Sequence, residues 1–315
     1  MNAIKMPEYL RLSLLSNCNL NCFYCRPPGT NDPKLPQIPP GKFFDAIRAL
    51  HQLGIRKIRF TGGEPTLYKP LPKLISHAKE FDPDIFTAIT TNGLLLEKLA
   101  PLYAESGLDS VNISLDTLNP DKFRSITSVD GFDKVIRGIE STRESISEVK
   151  LNCVLINGVN DDEADDMIEF ANTMGIDIRF IEYMPTRHNN KQRRGYLANE
   201  ELRANSRYEF SPLPHKDSAA ARYFSSPDLD IRVGFISPVS HPFCASCDRI
   251  RLTADGMIYG CLFSSQGFNL FSILNDKSID LQNKLSQILA SKNLRGCNAA
   301  MNNLNSLPSF YQVGG

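Results

Sequence analysis

The sequence has no excess charge of either sign. Lys and Arg number 35, Asp and Glu number 35, and the formal net charge is +0. That removes the usual electrostatic footprint of a nucleic-acid binder or a membrane-surface protein, and neither partner is expected. Long apolar runs are also missing, and nothing approaches the roughly 20 residues that a membrane span needs. The opening residues, MNAIKMPEYLRLSLL, hold no long apolar core and no small-residue cleavage site. No signal peptide is therefore expected, and a cytoplasmic location is the default. In that compartment cysteines stay reduced, so clustered cysteines read as metal ligands or catalytic groups rather than disulfides. Histidine is scarce, at five in 315 residues, which limits mixed Cys/His zinc sites.

What is present is cysteine in a pattern. Cys18, Cys22 and Cys25 fall within residues 17–26, NCNLNCFYCR, as C-x3-C-x2-C. Three thiols so close cannot all pair as disulfides, but they can turn toward one soft metal centre. Thiolates are the ligands that iron–sulfur clusters select. A 4Fe-4S cluster normally takes four cysteines, so three would leave one iron open. Cys244, Cys247 and Cys261 form a second group, C-x2-C-x13-C. Zinc is the rival ligand there, because His241 is close enough to complete a Cys3His set. Cys153 and Cys297 stand alone and read as small core residues.

Length leaves room for one large domain or two moderate ones, and 42% apolar with 22% charged residues is ordinary for a globular chain. Short strand-like runs alternate with helical spacing. Strands are expected over residues 8–15, 56–60, 84–89, 110–115, 150–156 and 177–183. Helices are expected around residues 43–50, 71–79, 95–105, up to about 145, and from a cap at Asn160 or Asp161 to Met174. Six βα units in series imply a parallel sheet. The fold class expected is α/β: a partial, TIM-like (βα)6 barrel with a C-terminal α+β extension. The expected division is a barrel over 1–190, a connector over 191–227 and a C-terminal domain over 228–315. RHNNKQRR, residues 187–194, reads as a solvated loop. Asp255-Gly256 between two apolar runs predicts a hairpin, which puts Arg249 and Arg251 on one face with Cys247.

Function in such sheets gathers at the C-terminal strand ends, where the cysteine loop, TGGEP, TTNG and Asp116 all fall. Strand parity adds to this. Leu10, Leu12 and Leu14 oppose Arg11 and Ser13. Ile58 and Phe60 oppose Lys57 and Arg59. Val111 and Ile113 oppose Asn112 and Ser114. Leu151 and Leu155 oppose Lys150 and Asn152. The apolar faces should meet helices, leaving a polar, basic interior suited to an anionic ligand. Gly62 and Gly63 of TGGEP would let backbone approach a ligand, and Glu64 could accept from an ammonium.

The three-cysteine motif followed by a GGEP strand end resembles the radical S-adenosylmethionine superfamily. KIRFTGGEP, TTNGLLL, VNISLD, RFIEYMP, GFISPV, CDRIRLTADG, the second cysteine group and the final Gly-Gly narrow this. Together they resemble the GTP 3',8-cyclase family, lyases that open molybdenum cofactor biosynthesis, and the likeness covers nearly the whole chain. The resemblance implies two 4Fe-4S clusters. The first, on Cys18, Cys22 and Cys25, would bind S-adenosylmethionine and cleave it to a 5'-deoxyadenosyl radical. The second, on Cys244, Cys247 and Cys261, would bind the guanine of GTP. Tyr24, Gly63, Ser114 and Met184 would contact S-adenosylmethionine. Arg11, Arg59, Thr90, Lys150, Arg249 and Arg251 would contact GTP, and Gly314 and Gly315 would enter the active site. The product would be 3',8-cyclo-7,8-dihydro-GTP. A reductant and the next enzyme of the pathway are the partners implied, and a homodimer is left open. A divergent radical enzyme acting on a peptide or another nucleotide is the alternative. The family usually carries Asp or Arg before the first cysteine, Arg before the second and Met-Pro after the third. Here Ser16, Asn17, Asn21 and Arg26-Pro27-Pro28 stand instead.

Overall fold

The computed structural model describes residues 6–26, 37–184, 195–262, 264, 266–276 and 278–293. Pro27, Pro28, the 187–194 loop, Cys297, Gly314 and Gly315 lie outside them.

Six strands succeed one another with helices between: β1 (Tyr9–Ser13), β2 (Lys57–Thr61), β3 (Phe86–Thr91), β4 (Ser110–Ser114), β5 (Glu148–Leu155) and β6 (Asp177–Glu182). Each pairs in parallel with the next. The crossovers are α1 (Pro40–Gln52), α2 (Leu71–Phe81), α3 (Leu96–Glu105), α4 (Pro120–Thr127), α5 (Phe132–Ser145) and α6 (Ala164–Met174). The reason is visible in α1. Its buried residues Phe43, Ala46, Ile47 and Leu50 recur at i, i+3, i+4 and i+7, one apolar stripe turned to the sheet. The helical stretch expected to end near 145 is two helices. Asn119 caps α4 by accepting from Asp121 N and Lys122 N, and Ser128 ends it in the left-handed region at φ 60°.

The α6 cap differs from expectation. Asn160 caps nothing. Its side chain turns inward, donating to the Asp116 and Val154 carbonyls at 2.6 and 2.9 Å and accepting from Ile156 N at 2.8 Å. A buried amide finds three backbone partners there, which outweighs one cap bond at a surface helix end. Gly175 does stop α6, at φ 63°.

Parity decides which face meets the helices. Leu10, Leu12, Ile58, Phe60, Val111, Ile113, Leu151, Cys153, Ile178 and Phe180 are all fully buried in one core. Cys153 thus takes the core role expected of it.

The second half of the chain is not set apart from this sheet. After α7 (Asn199–Asn205) come β7 (Ser211–Pro212), β8 (Ala221–Ser225), β9 (Val233–Ile236), β10 (Arg249–Leu252), β11 (Met257–Tyr259) and β12 (Gly267–Asn269). α8 (Leu270–Leu274) and α9 (Leu281–Asn293) complete the described residues. The strand order is β12-β11-β10-β1-β2-β3-β4-β5-β6-β9-β8-β7, so these strands extend both edges of the six. β10 runs parallel to β1 and β9 parallel to β6. The stretch expected as a connector over 191–227 therefore carries an edge of the sheet. The Asp255-Gly256 hairpin forms as expected, with Gly256 at φ 85°.

The sheet stays open, and the loop between β7 and β8 bridges its two sides. Arg249 on β10 donates to the Ser218 carbonyl at 3.2 Å, and Ser246 bonds the Asp217 carbonyl.

Candidate active site

The polar strand faces enclose a cavity of about 740 Å³. All the described residues expected to hold a cluster, S-adenosylmethionine or GTP line it. Cys18, Cys22, Cys25, Tyr24, Gly62, Gly63, Glu64, Ser114 and Met184 lie toward the C-terminal strand ends. Arg11, Arg59, Thr90, Lys150, Arg249 and Arg251 form the wall. Cys244, Cys247 and Cys261 line the far end. Strand direction sets this polarity. Cys18 follows the end of β1, whereas Cys247 precedes the start of β10. These two strands are parallel, with Tyr9 opposite Arg249 and Arg11 opposite Arg251. The cysteine groups therefore stand at opposite mouths, separated by about 15 Å of strand.

The first cysteine loop is held by backbone. Gly63 N donates to Leu15 O at 2.7 Å and Glu64 N to Asn17 O at 2.8 Å. A Cβ on Gly63 would lie 2.1 Å from Asn17 O, and one on Gly62 would lie 2.6 Å from Leu15 O. These glycines admit the chain's own backbone, and both line the cavity. Asn21 N donates to Thr127 O at 2.9 Å. Asn17 and Asn21, two of the unusual flanking residues, thus contribute through main-chain atoms that any residue supplies.

Glu64 joins two strand ends. It is 1% exposed, and both carboxylate oxygens are engaged. Oε1 accepts from Thr66 N, Thr66 Oγ1 and Thr91 Oγ1 at 3.0, 2.6 and 2.7 Å, and Oε2 accepts from Asn92 N at 2.8 Å. Glu64 clamps the end of β2 to the end of β3.

Tyr24 donates to Asp116 Oδ2 at 2.6 Å, and Val154 N donates to Asp116 Oδ1 at 2.9 Å. Burial pushes the Asp116 carboxyl up to about 6 against these two bonds. Asn92 donates to Asn19 Oδ1 at 2.8 Å, its nitrogen 3.8 Å from Cys18 Sγ.

Both donor sets suit a soft metal centre. Burial raises the Cys18, Cys22 and Cys25 thiols, Cys25 to about 12, and the mutual repulsion of their thiolates raises Cys22 and Cys25 further. Three thiolates at one spot need a positive centre, which the irons of a cluster supply. Cys244, Cys247 and Cys261 stand together at the far mouth, a second set of three sulfur donors. His241, the candidate fourth zinc ligand, is bonded to Glu200 at 2.8 Å. Among the described residues no three His, Cys, Asp or Glu side chains converge on a single-ion position.

The wall calls for an anion. Burial, then repulsion from Arg251, lowers Arg11 to about 9, and burial lowers Arg251 to about 10. Burial, with Arg179 beside it, brings Lys150 down to about 7, although Lys150 also touches Glu148 at the rim. That carboxylate is 43% exposed, so water screens it and burial prevails.

Three wall residues were missed in the sequence. Arg179 on β6 donates to Asn152 Oδ1 at 2.9 Å. It alternates with Ile178 and Phe180, so the parity argument extended to β6 would have found it. Tyr9 shares its parity with Arg11 but carries no charge to draw notice. Asn112, 4% exposed, was placed on the polar face and given no role. Its Oδ1 is buried and has no partner among the described residues.

Comparison with known proteins agrees with this architecture. Residues 12–171 match the radical SAM superfamily, and residues 176–296 match the Molybdenum Cofactor Synthesis C family. The GTP 3',8-cyclase of Clostridium botulinum (strain Hall) is 35% identical, covering 98% of this chain and 97% of its own. That of Nautilia profundicola is 36% identical over 90% of both chains. Molybdenum cofactor biosynthesis protein 1 of Drosophila melanogaster is 37% identical over 86% of this chain and 49% of the fly protein. Among solved structures, Streptococcus suis SuiB bound to S-adenosylmethionine superposes with a TM-score of 0.70 at 16% identity, covering 92% of this chain and 68% of SuiB. The anSMEcpe structure with bound AdoMet gives 0.60 at 17%, covering 98% and 85%. Both share the fold.

Proposed function

The chain belongs to the GTP 3',8-cyclase family of radical S-adenosylmethionine proteins, and we propose that it acts as a lyase converting GTP to 3',8-cyclo-7,8-dihydro-GTP. That is the first step of molybdenum cofactor biosynthesis. One observation carries this reading: a single cavity has three cysteines at each mouth and a basic wall between them.

In this proposal Cys18, Cys22 and Cys25 hold one 4Fe-4S cluster, and Cys244, Cys247 and Cys261 hold another. When bound, the first cluster and S-adenosylmethionine supply a one-electron source and a hydrogen-abstracting carbon radical. The remaining work falls to the chain. Tyr24, Gly62, Gly63, Ser114 and Met184 line the cofactor end. Arg11, Arg59, Lys150, Arg249 and Arg251 receive the triphosphate, for which forked guanidiniums suit the oxygens. Thr90 lies beside them. Asn112 stands between Thr90 and Lys150 in register. Its unpartnered oxygen accepts from a hydroxyl or amine of the nucleoside. The fully buried core behind the strands keeps water from that side of the reaction. A reductant and the enzyme that takes the product onward are the partners, and the cytoplasm is the compartment.

The test is anaerobic. Reconstituted protein given GTP, S-adenosylmethionine and a reductant should form 5'-deoxyadenosine together with a cyclised GTP product. Deoxyadenosine without GTP consumption, or turnover of another nucleotide in preference to GTP, would sink the substrate assignment. Metal analysis should find about eight irons and no zinc.

A further inference from the structure

Tyr9 begins β1, faces the cavity and is flanked in register by Arg249 on β10 and Lys57 on β2. The Lys57 ammonium lies 5.3 Å from its ring centroid and the Arg249 guanidinium 5.5 Å. Its oxygen accepts from Arg59 Nε at 2.6 Å. Arg59 also donates to the Ile89 carbonyl at 3.2 Å and to Thr90 Oγ1 at 3.3 Å, so its guanidinium is fixed on three sides. One phenol therefore touches three cations from the strands on either side. An aromatic ring attracts cations over its face, and a phenol oxygen accepts from them. Without such a group the three would repel one another and splay.

The geometry points to Tyr9 as a positioning residue for the substrate's polyphosphate: it keeps Arg59, Lys57 and Arg249 converged on the place where phosphate oxygens bind. The inference rests on the GTP reading of the cavity. Its ionisation makes it readable. Burial alone would push the phenol up, but Arg59, Arg11, Lys57 and Arg249 outweigh burial and bring it down to about 7. Arg179 on β6 and Arg251 on β10 act on the same phenol, and Glu8 is the neighbouring acid on the cavity lining. Above pH 7 the free site thus holds a phenolate. A bound polyphosphate takes over the cations that stabilise it, and the oxygen regains one proton from solvent. Anion binding then takes up a proton and weakens by up to about tenfold per pH unit above 7. Lys150 adds a slope of the same sign, which Tyr9→Phe leaves in place.

The experiment is calorimetry on the iron-loaded enzyme with GTP and with inorganic tripolyphosphate, from about pH 6.5 to about pH 8.5. Two buffers of different ionisation heat count the protons. Tyr9→Phe keeps the ring contacts and should change affinity less than about threefold at the low end, with about one proton fewer taken up at the high end. Tyr9→Leu loses both contacts and should raise the KM for GTP about tenfold, with a much smaller effect on kcat. Wild-type proton uptake in Tyr9→Phe, or unchanged affinity in Tyr9→Leu, overturns the inference. If Tyr9→Leu does not fold, Tyr9→Phe alone decides. If wild-type enzyme binds tripolyphosphate but not GTP, the substrate reading falls and the tripolyphosphate arm still judges Tyr9. If it binds neither, both fall.

Discussion

Asn112 offers a direct test of how single side chains serve the cavity. Its buried oxygen has no partner among the described residues, and a buried acceptor left empty carries a desolvation cost that a ligand donor removes. Asn112→Leu should raise the KM for GTP by about three- to tenfold while kcat changes little, read from anaerobic initial rates. Lys150 provides a pH signature. Its ammonium, lowered to about 7, is charged below that value and lost above it. GTP affinity should therefore fall as pH rises from about 7 to about 8.5, and Lys150→Arg should flatten much of the fall, since guanidinium keeps its proton there. These groups were unevenly legible. Arg11, Arg59 and Lys150 declare themselves as cations alternating with apolar residues. Tyr9 and Asn112 do not, because an uncharged side chain on a polar face has no signature until its neighbours on other strands are known.

The clamp between the ends of β2 and β3 explains why TGGEP and TTNG belong together. Glu64→Gln keeps an acceptor toward Thr66 and Thr91 but turns a donor on Asn92 N, and should cost about 1–3 kcal/mol in denaturant unfolding. Gly63→Ala drives a methyl into the Asn17 carbonyl. The cysteine loop must then move, and reconstituted protein should lose about four irons and its affinity for S-adenosylmethionine. An unaltered iron count would mean that the loop tolerates the shift. The six βα units were readable because short-range periodicity specifies them. The edges were not. β7 and β8 lie in a stretch that looked like a connector because β7 is two residues long and ends in proline. The pairing of β10 with β1 joins residues that no local pattern relates.

The two mouths of the cavity should lose their iron separately. Cys247→Ser should leave about four of about eight irons, with the first cysteine group still loaded, measured by metal analysis and electron paramagnetic resonance. Loss of all the iron would contradict this. The shared sheet has a different consequence, felt before any iron arrives. Tyr9 waits for Arg249, its partner on one side. A ribosome delivering about 5–20 residues per second leaves that side of β1 bare for roughly 10–50 s. During that interval Tyr9–Ser13 is an unpaired strand edge, open to pairing with other nascent chains. The ladder that carries the arginines to the substrate also makes the newborn chain dependent on protection until its last third emerges.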